Sequence, residues 1–178
     1  MNHPFFSALL LGLLWSPSNQ ALTPSDIPIA YSVVASKYEV PADILYSIAL
    51  TESGKLYEGS KLPWPWSLNI EGKSVYCDTR SQALLSLNDA IQQGKSVDVG
   101  LMQVSWYWHS QRFSSPEESL SPVKNLMIGA SILVEQYRQS GDWLVAVGRY
   151  HDPGQDEESL QRAEYYLKKV KQNWRGSF

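Results

Sequence analysis

Cysteine is almost missing from this chain: Cys77 is the only one in 178 residues. An intramolecular disulfide is therefore excluded, and no zinc site can be built from thiolates. Histidine is scarce as well, with three in all and one of them at position 3. A histidine-based metal centre is not expected, and no cofactor is expected either. Basic surplus is lacking, since 15 Lys and Arg stand against 18 Asp and Glu, a formal charge of −3. Nucleic-acid binding thus has no electrostatic support. The chain has no G-x-S-x-G elbow, no phosphate-cradling glycine loop, no internal repeat and no low-complexity tract.

The first 21 residues carry no Asp, Glu, Lys or Arg. Their apolar run, Phe5 to Trp15, is too short to span a bilayer comfortably, and the small, polar stretch Ser16 to Ala21 follows it. The pattern is that of a secretory signal peptide over 1–21, leaving one domain over 22–178. The expectation is an exported protein without a stable membrane anchor after processing, whose single thiol is buried.

Hydrophobic residues make up 43% of the chain, enough for a core. Helical patterns cover residues 27–39 and 41–52, while 54–65 reads as a loop rich in Gly, Ser and Pro. Residues 66–77 form a hairpin around Glu71-Gly72-Lys73. Thr79 and Gln82 have capping-box spacing at the head of a helix that Gly94 closes. Residues 96–104 read as a short connection, after which Ser105 caps a short helix over 106–112. Ser115-Pro116 and Ser121-Pro122 each place a cap before a first-turn proline. The second opens an amphipathic helix lined by Val123, Leu126, Met127, Ala130, Leu133, Val134 and Tyr137 and ended by Gly141. Asp142 caps a helix over 143–151, and a last helix runs over 156–173. The fold class is mainly α: one helical domain with one small β-hairpin.

Glu52 stands out. Pro41 opens its helix, Gly54 lies just past the end, and Leu45, Ile48 and Ala49 form a stripe that Glu52 continues. A carboxylate there loses water, and it lies where the helix dipole is negative. Both effects raise its pKa, as a general acid near neutral pH requires.

Three strings follow one another: Glu52-Ser53, then Gly100-Leu101-Met102-Gln103, then Gly148-Arg149-Tyr150-His151-Asp152-Pro153-Gly154. In this order they resemble the three motifs of the soluble lytic transglycosylases with a lysozyme-like (α+β) domain, over residues 27–154. Residues 96–105 look closer to the small transglycosylases that accompany conjugation, pilus and secretion machines. Residues 63–69 and the hairpin behind them look like the branch found with integrative conjugative elements.

The resemblance implies cleavage of the MurNAc–GlcNAc bond of peptidoglycan glycan strands in the periplasm. A conjugation or secretion apparatus is the partner it implies. Glu52 maps onto the family's single acid/base, and the product would be a 1,6-anhydromuramic end. The substrate's N-acetyl group would replace the second carboxylate of ordinary glycosidases. Ser53 maps onto a serine that orients the acid or the substrate, and Gln103 onto a glutamine suited to N-acetyl or hydroxyl groups. Gly100 would permit a tight backbone approach. Tyr150 maps onto a tyrosine whose hydroxyl reaches toward the acid. His151 stands where the family has Asn.

Met102 is read as core. Of Trp64, Trp66, Trp106 and Trp108, one or two are expected to line the glycan groove, with Trp143 and Trp174 in the core. Asp98 is the possible second acid. If it held a water near the anomeric carbon, the enzyme would be a hydrolytic muramidase, and a turn or cap role is the structural alternative. A non-catalytic wall-binding scaffold is the alternative from another class.

Overall fold

The computed structural model describes residues 27–174. The signal-peptide reading of residues 1–21 lies outside them. Among the described residues, no helix is long and apolar enough to cross a membrane.

Helix α1 (Ile29–Tyr38) ends where Glu39 turns left-handed, and α2 (Ala42–Ser53) begins after Pro41. Seven consecutive residues of α2, Ile44 to Leu50, are buried, as is Ser53. The helix is thus enclosed nearly all round rather than along a stripe, and Glu52 emerges half-buried only where enclosure ends. Gly54 closes α2 in extended geometry. A side chain there would collide with the Leu50 carbonyl and with Lys61.

Residues 54–65 are not a loop. Strands β1 (Gly54–Tyr57) and β2 (Ser60–Pro63) form an antiparallel hairpin. Its two-residue turn is Glu58-Gly59, both at positive φ, a geometry whose twist matches the strands. Both strands are largely exposed, so no apolar alternation marks them. The anticipated hairpin forms as β3 (Ser67–Ile70) and β4 (Lys73–Tyr76), again with a Glu-Gly turn. Residues 96–104 are likewise more than a connection. They contain β5 (Val97–Val99) and the first residue of β6 (Val104–Ser105), completing a four-stranded antiparallel sheet of order β4-β3-β5-β6. Segments of three and two residues are too short for a period-2 signal to register.

Helix α3 (Arg80–Gln92) opens with the expected capping box, both halves present. Ser105 does not cap α4 (Trp106–His109), which passes into a 3₁₀ turn over Ser110–Arg112. Ser115 caps α5 (Pro116–Ser119), and Asp142 caps α7 (Trp143–His151) through the Leu144 and Val145 amides. Helix α6 (Pro122–Ser140) lies between them, and α8 (Glu157–Asn173) closes the chain behind an Asp156 cap.

Two cores result. The larger joins α1, α2, α6, α7 and α8 around Leu45, Ile48, Leu126, Leu133 and Val147. The smaller joins α3 to the sheet around Leu68, Leu87, Val97 and Val99, and includes Cys77, buried as expected. Trp106 packs against both. Trp143 and Trp174 pack on the larger core. Trp143 stacks on Tyr137 at 3.9 Å, and the Trp174 indole N–H donates to Asp43.

On α6, Val123 is more than half exposed, and the buried face includes two residues without an apolar signal, Asn125 and Gly129. Asn125 Nδ2 donates to the Val99 and Ser119 carbonyls (2.8 and 3.2 Å), and its Oδ1 accepts from the Met102 amide (2.9 Å). Replacing Asn125 by Ala strands three buried polar groups. The expected loss is about 3 kcal/mol of unfolding free energy, checked by urea denaturation.

Candidate active site

The junction between the helical body and the sheet brings together Glu52 from α2, Asp98 from β5, Tyr150 from α7 and Tyr166 from α8. Between them runs the tight turn Gly100 to Gln103. Gly100 and Gln103 both have positive φ (78° and 43°). At Gly100 a side chain would run into the Asn125 amide at 2.6 Å, so the glycine permits close approach of the chain to itself.

The turn is tied down from every side. Ser53, fully buried, has its Oγ 2.8 Å from the Leu101 carbonyl and 3.0 Å from the Ala49 carbonyl. Tyr150 Oη donates to the Met102 carbonyl at 2.7 Å. Gln103 Nε2 donates back to the Gly100 carbonyl (2.8 Å) and to Ser67 Oγ (3.1 Å). Met102 is fully buried and lies directly on Gly129, where a methyl group would meet its side chain at 2.5 Å. Met102 is core, as the sequence implies. Ser53, Gly100, Gln103 and Tyr150 thus share one task, holding the turn against the end of the catalytic-candidate helix.

The direct partner of Glu52 is a residue the motif reading passes over. Tyr166 Oη donates to Glu52 Oε1 at 2.6 Å. Tyr166 is buried in α8, 114 positions away in sequence. Its only local signal is an aromatic on the buried face of an amphipathic helix, at i−3 to Ala163 and i+4 to Val170. The His151 ring stacks on Tyr166 at 4.6 Å with an interplanar angle of 3°.

Burial raises the Glu52 pKa from 4.5 to about 7, and the Asp98 charge adds to the rise. The Tyr166 hydrogen bond and the Lys169 charge oppose it. Tyr150 and Tyr166 are themselves held well above the phenol range, by burial first and then by the Glu52 charge, so both remain donors. Asp98 is half-buried on β5, opposite Ser105 and Asn69 in the sheet. Burial raises its pKa too, and a hydrogen bond with the Ser105 side chain opposes the shift. Its neighbours Val97 and Val99 enter the smaller core, so strand alternation turns Asp98 to the other face. It is a strand residue, and the turn-or-cap alternative does not hold.

Trp64 and Trp66 lie half-buried and perpendicular at 6.1 Å, and the Trp64 indole N–H is used internally, donating to the Cys77 carbonyl at 2.7 Å. Trp106 stacks on Phe113 between the cores. Trp108 is the open one, 69% exposed beside Tyr107. Among the described residues, no three His, Cys, Asp or Glu side chains gather to hold a metal ion.

The Glu52 titration has a consequence for stability. Its folded pKa of about 7 exceeds its ordinary 4.5, so the folded state binds the extra proton between those values and stability falls as pH rises through that window. Glu52→Gln is therefore expected to exceed wild type in stability at pH 8 by on the order of 2–3 kcal/mol. The gap should close toward pH 4.5, as read by chemical denaturation at both pH values.

Comparison with protein families gives one match: the transglycosylase SLT domain, over residues 85–173. The matched stretch carries Asp98, the Gly100–Gln103 turn, Tyr150 and Tyr166, while Glu52 precedes it and is joined to it through Tyr166 and Ser53. The comparisons with curated proteins and with solved structures give no match. With half of its length matched, and with a mainly helical, lysozyme-like fold carrying small antiparallel strands, the chain belongs to the transglycosylase SLT family, the lytic transglycosylases that act on peptidoglycan.

Proposed function

We propose that Glu52 is the acid/base of a transglycosylase that cleaves the MurNAc–GlcNAc bond and leaves 1,6-anhydromuramic ends. The observation that carries this is a half-buried carboxyl group whose pKa lies near 7 and whose orientation is fixed by Tyr166. Protonated Glu52 gives its proton to the glycosidic oxygen as the bond to the anomeric carbon breaks. The carboxylate then takes the proton of the muramic 6-hydroxyl as that oxygen attacks the anomeric carbon. No water is consumed. Tyr166 holds Oε1, so Oε2 is the oxygen left for proton transfer. Ser53 and Tyr150 act at one remove, fixing the turn that borders Glu52.

A second reading rests on Asp98. Its charge already acts on Glu52, and its side chain leaves the sheet away from the smaller core. A water held between these carboxyls would make the reaction hydrolysis, with Asp98 as its base. The biological setting we propose is export to the periplasm and local wall opening for a conjugation or secretion apparatus. The apolar leader and the likeness of residues 63–69 and 96–105 to that branch support it.

Digestion of purified sacculi followed by mass spectrometry of the muropeptides tests the chemistry. Anhydro ends, lighter by one water than reducing ends, are expected, and a uniform yield of reducing ends would establish hydrolysis instead. Glu52→Gln is expected to lower turnover about 10²–10⁴-fold. Tyr166→Phe removes a hydrogen bond that favours the carboxylate. Its pKa then rises, and the alkaline limb of the activity profile should move to higher pH, as read from kcat/KM between pH 5 and 9.

A further inference from the structure

The hairpin β1–β2 leaves the catalytic-candidate helix at Gly54 and returns Lys61 beside it. The Lys61 side chain lies against Gly54, two residues from Glu52. Lys61 Nζ donates to Asn173 Oδ1 at 3.2 Å, and Asn173 Nδ2 donates to Thr51 Oγ1 at 2.9 Å, next to Glu52 in sequence. Lys169 stands one helical turn before Asn173, its ammonium 5.8 Å from the Tyr165 ring centre. Both lysines are exposed, and neither forms an ion pair among the described residues. Other charged groups of α8 form ion pairs nearby: Arg162 with Asp152 and Glu158, and Lys168 with Glu164.

Placing two like charges together disfavours both unless an anion answers them. Partial desolvation, and then the Lys169 charge, push the Lys61 pKa down. Glu52 is a carboxyl group on which the Lys169 charge acts. Beside Lys169, Tyr165 and His151 line an open pocket of about 340 Å³ together with Glu158, Gln161 and Arg162. The pocket gives an extended, polar chain a path along α8.

We propose that Lys61 and Lys169 recognise the carboxylates of the peptide stem carried by the muramic residue at the cleavage site. The inference rests on Glu52 being the cleavage site. Peptidoglycan carries its acidic peptides on the lactyl ether of muramic acid, the same sugar whose anomeric bond must lie at Glu52. A muramic ring seated there sends its peptide outward beside the acid, and the two ammoniums stand at that exit. Lys61 is therefore a specificity residue, drawn from the hairpin, and takes no part in proton transfer.

The test compares glycan strands bearing stem peptides with strands stripped of them by an amidase, which keep only the lactyl carboxylate of each muramic residue, both freed of other wall polymers. Wild type is expected to show a kcat/KM about tenfold higher on the stem-bearing strands at low salt, as one charge-assisted contact supplies. Lys61→Gln should lose that preference while cutting stripped strands at the wild-type rate, and Lys61→Arg should retain it. An unchanged preference in Lys61→Gln overturns the proposal, as does an equal loss on both substrates. Binding is read separately, by titrating Glu52→Gln and Glu52→Gln/Lys61→Gln with the same two strands. Equal affinities of the two proteins for stem-bearing strands overturn the proposal. If wild type cuts neither strand yet Glu52→Gln prefers the stem-bearing one in a Lys61-dependent manner, peptide recognition stands and the assignment of Glu52 falls.

Discussion

The amide of Asn125 is the fixed point of this molecule. It is buried at the head of α6 and satisfies a carbonyl of the sheet, a carbonyl of α5 and the amide of Met102 at once. Those three groups belong to segments that share no regular hydrogen-bond ladder, so no secondary structure can satisfy them. A buried amide with two donors and an acceptor does so in one residue. Its closeness dictates glycine at position 100, and glycine permits the left-handed step that starts the turn. From there the remaining ties follow: Ser53 to Leu101, Tyr150 to Met102, and Gln103 back onto Gly100 and Ser67. The sheet is joined to the helical body through polar contacts of this turn and through Trp106.

That arrangement explains how one carboxyl group acquires its chemistry. Glu52 ends a helix enclosed almost all round, so its environment is poor in water without being sealed. Desolvation lifts its pKa, and a phenol that cannot itself ionise holds one oxygen. The opposing influences of Asp98 and Lys169 come from the sheet on one side and α8 on the other. The site is an electrostatic balance among three elements, and each is placed by packing rather than by local sequence.

Helix ends were the most legible part of the fold. The Thr79–Gln82 box, the Ser115 and Asp142 caps and the Gly141 stop act within one turn of chain, so a local pattern suffices to see them. The β1–β2 hairpin and the strands β5 and β6 were not legible, because exposed or two-to-three-residue strands leave no alternation to detect. In the site, Glu52 and the turn were visible as strings. The division of labour was not: Gln103 and Ser53 spend their hydrogen bonds on the protein itself, and Ser105 turns its hydroxyl to Asp98 instead of a helix end.

The sequence by itself determined the helices, the Thr79, Ser115 and Asp142 caps though not those expected of Ser105 and Ser121, the carboxylate at the end of α2 and the order of motifs, since each of these is a matter of near neighbours. Only the tertiary structure decided that Tyr166, rather than Tyr150, holds Glu52, that Asp98 acts on it from a strand, and that Lys61 of the first hairpin reaches Asn173 on α8 beside it. Those pairings span tens to more than a hundred residues, and they exist only once two separate cores have packed and set the elements that carry them side by side.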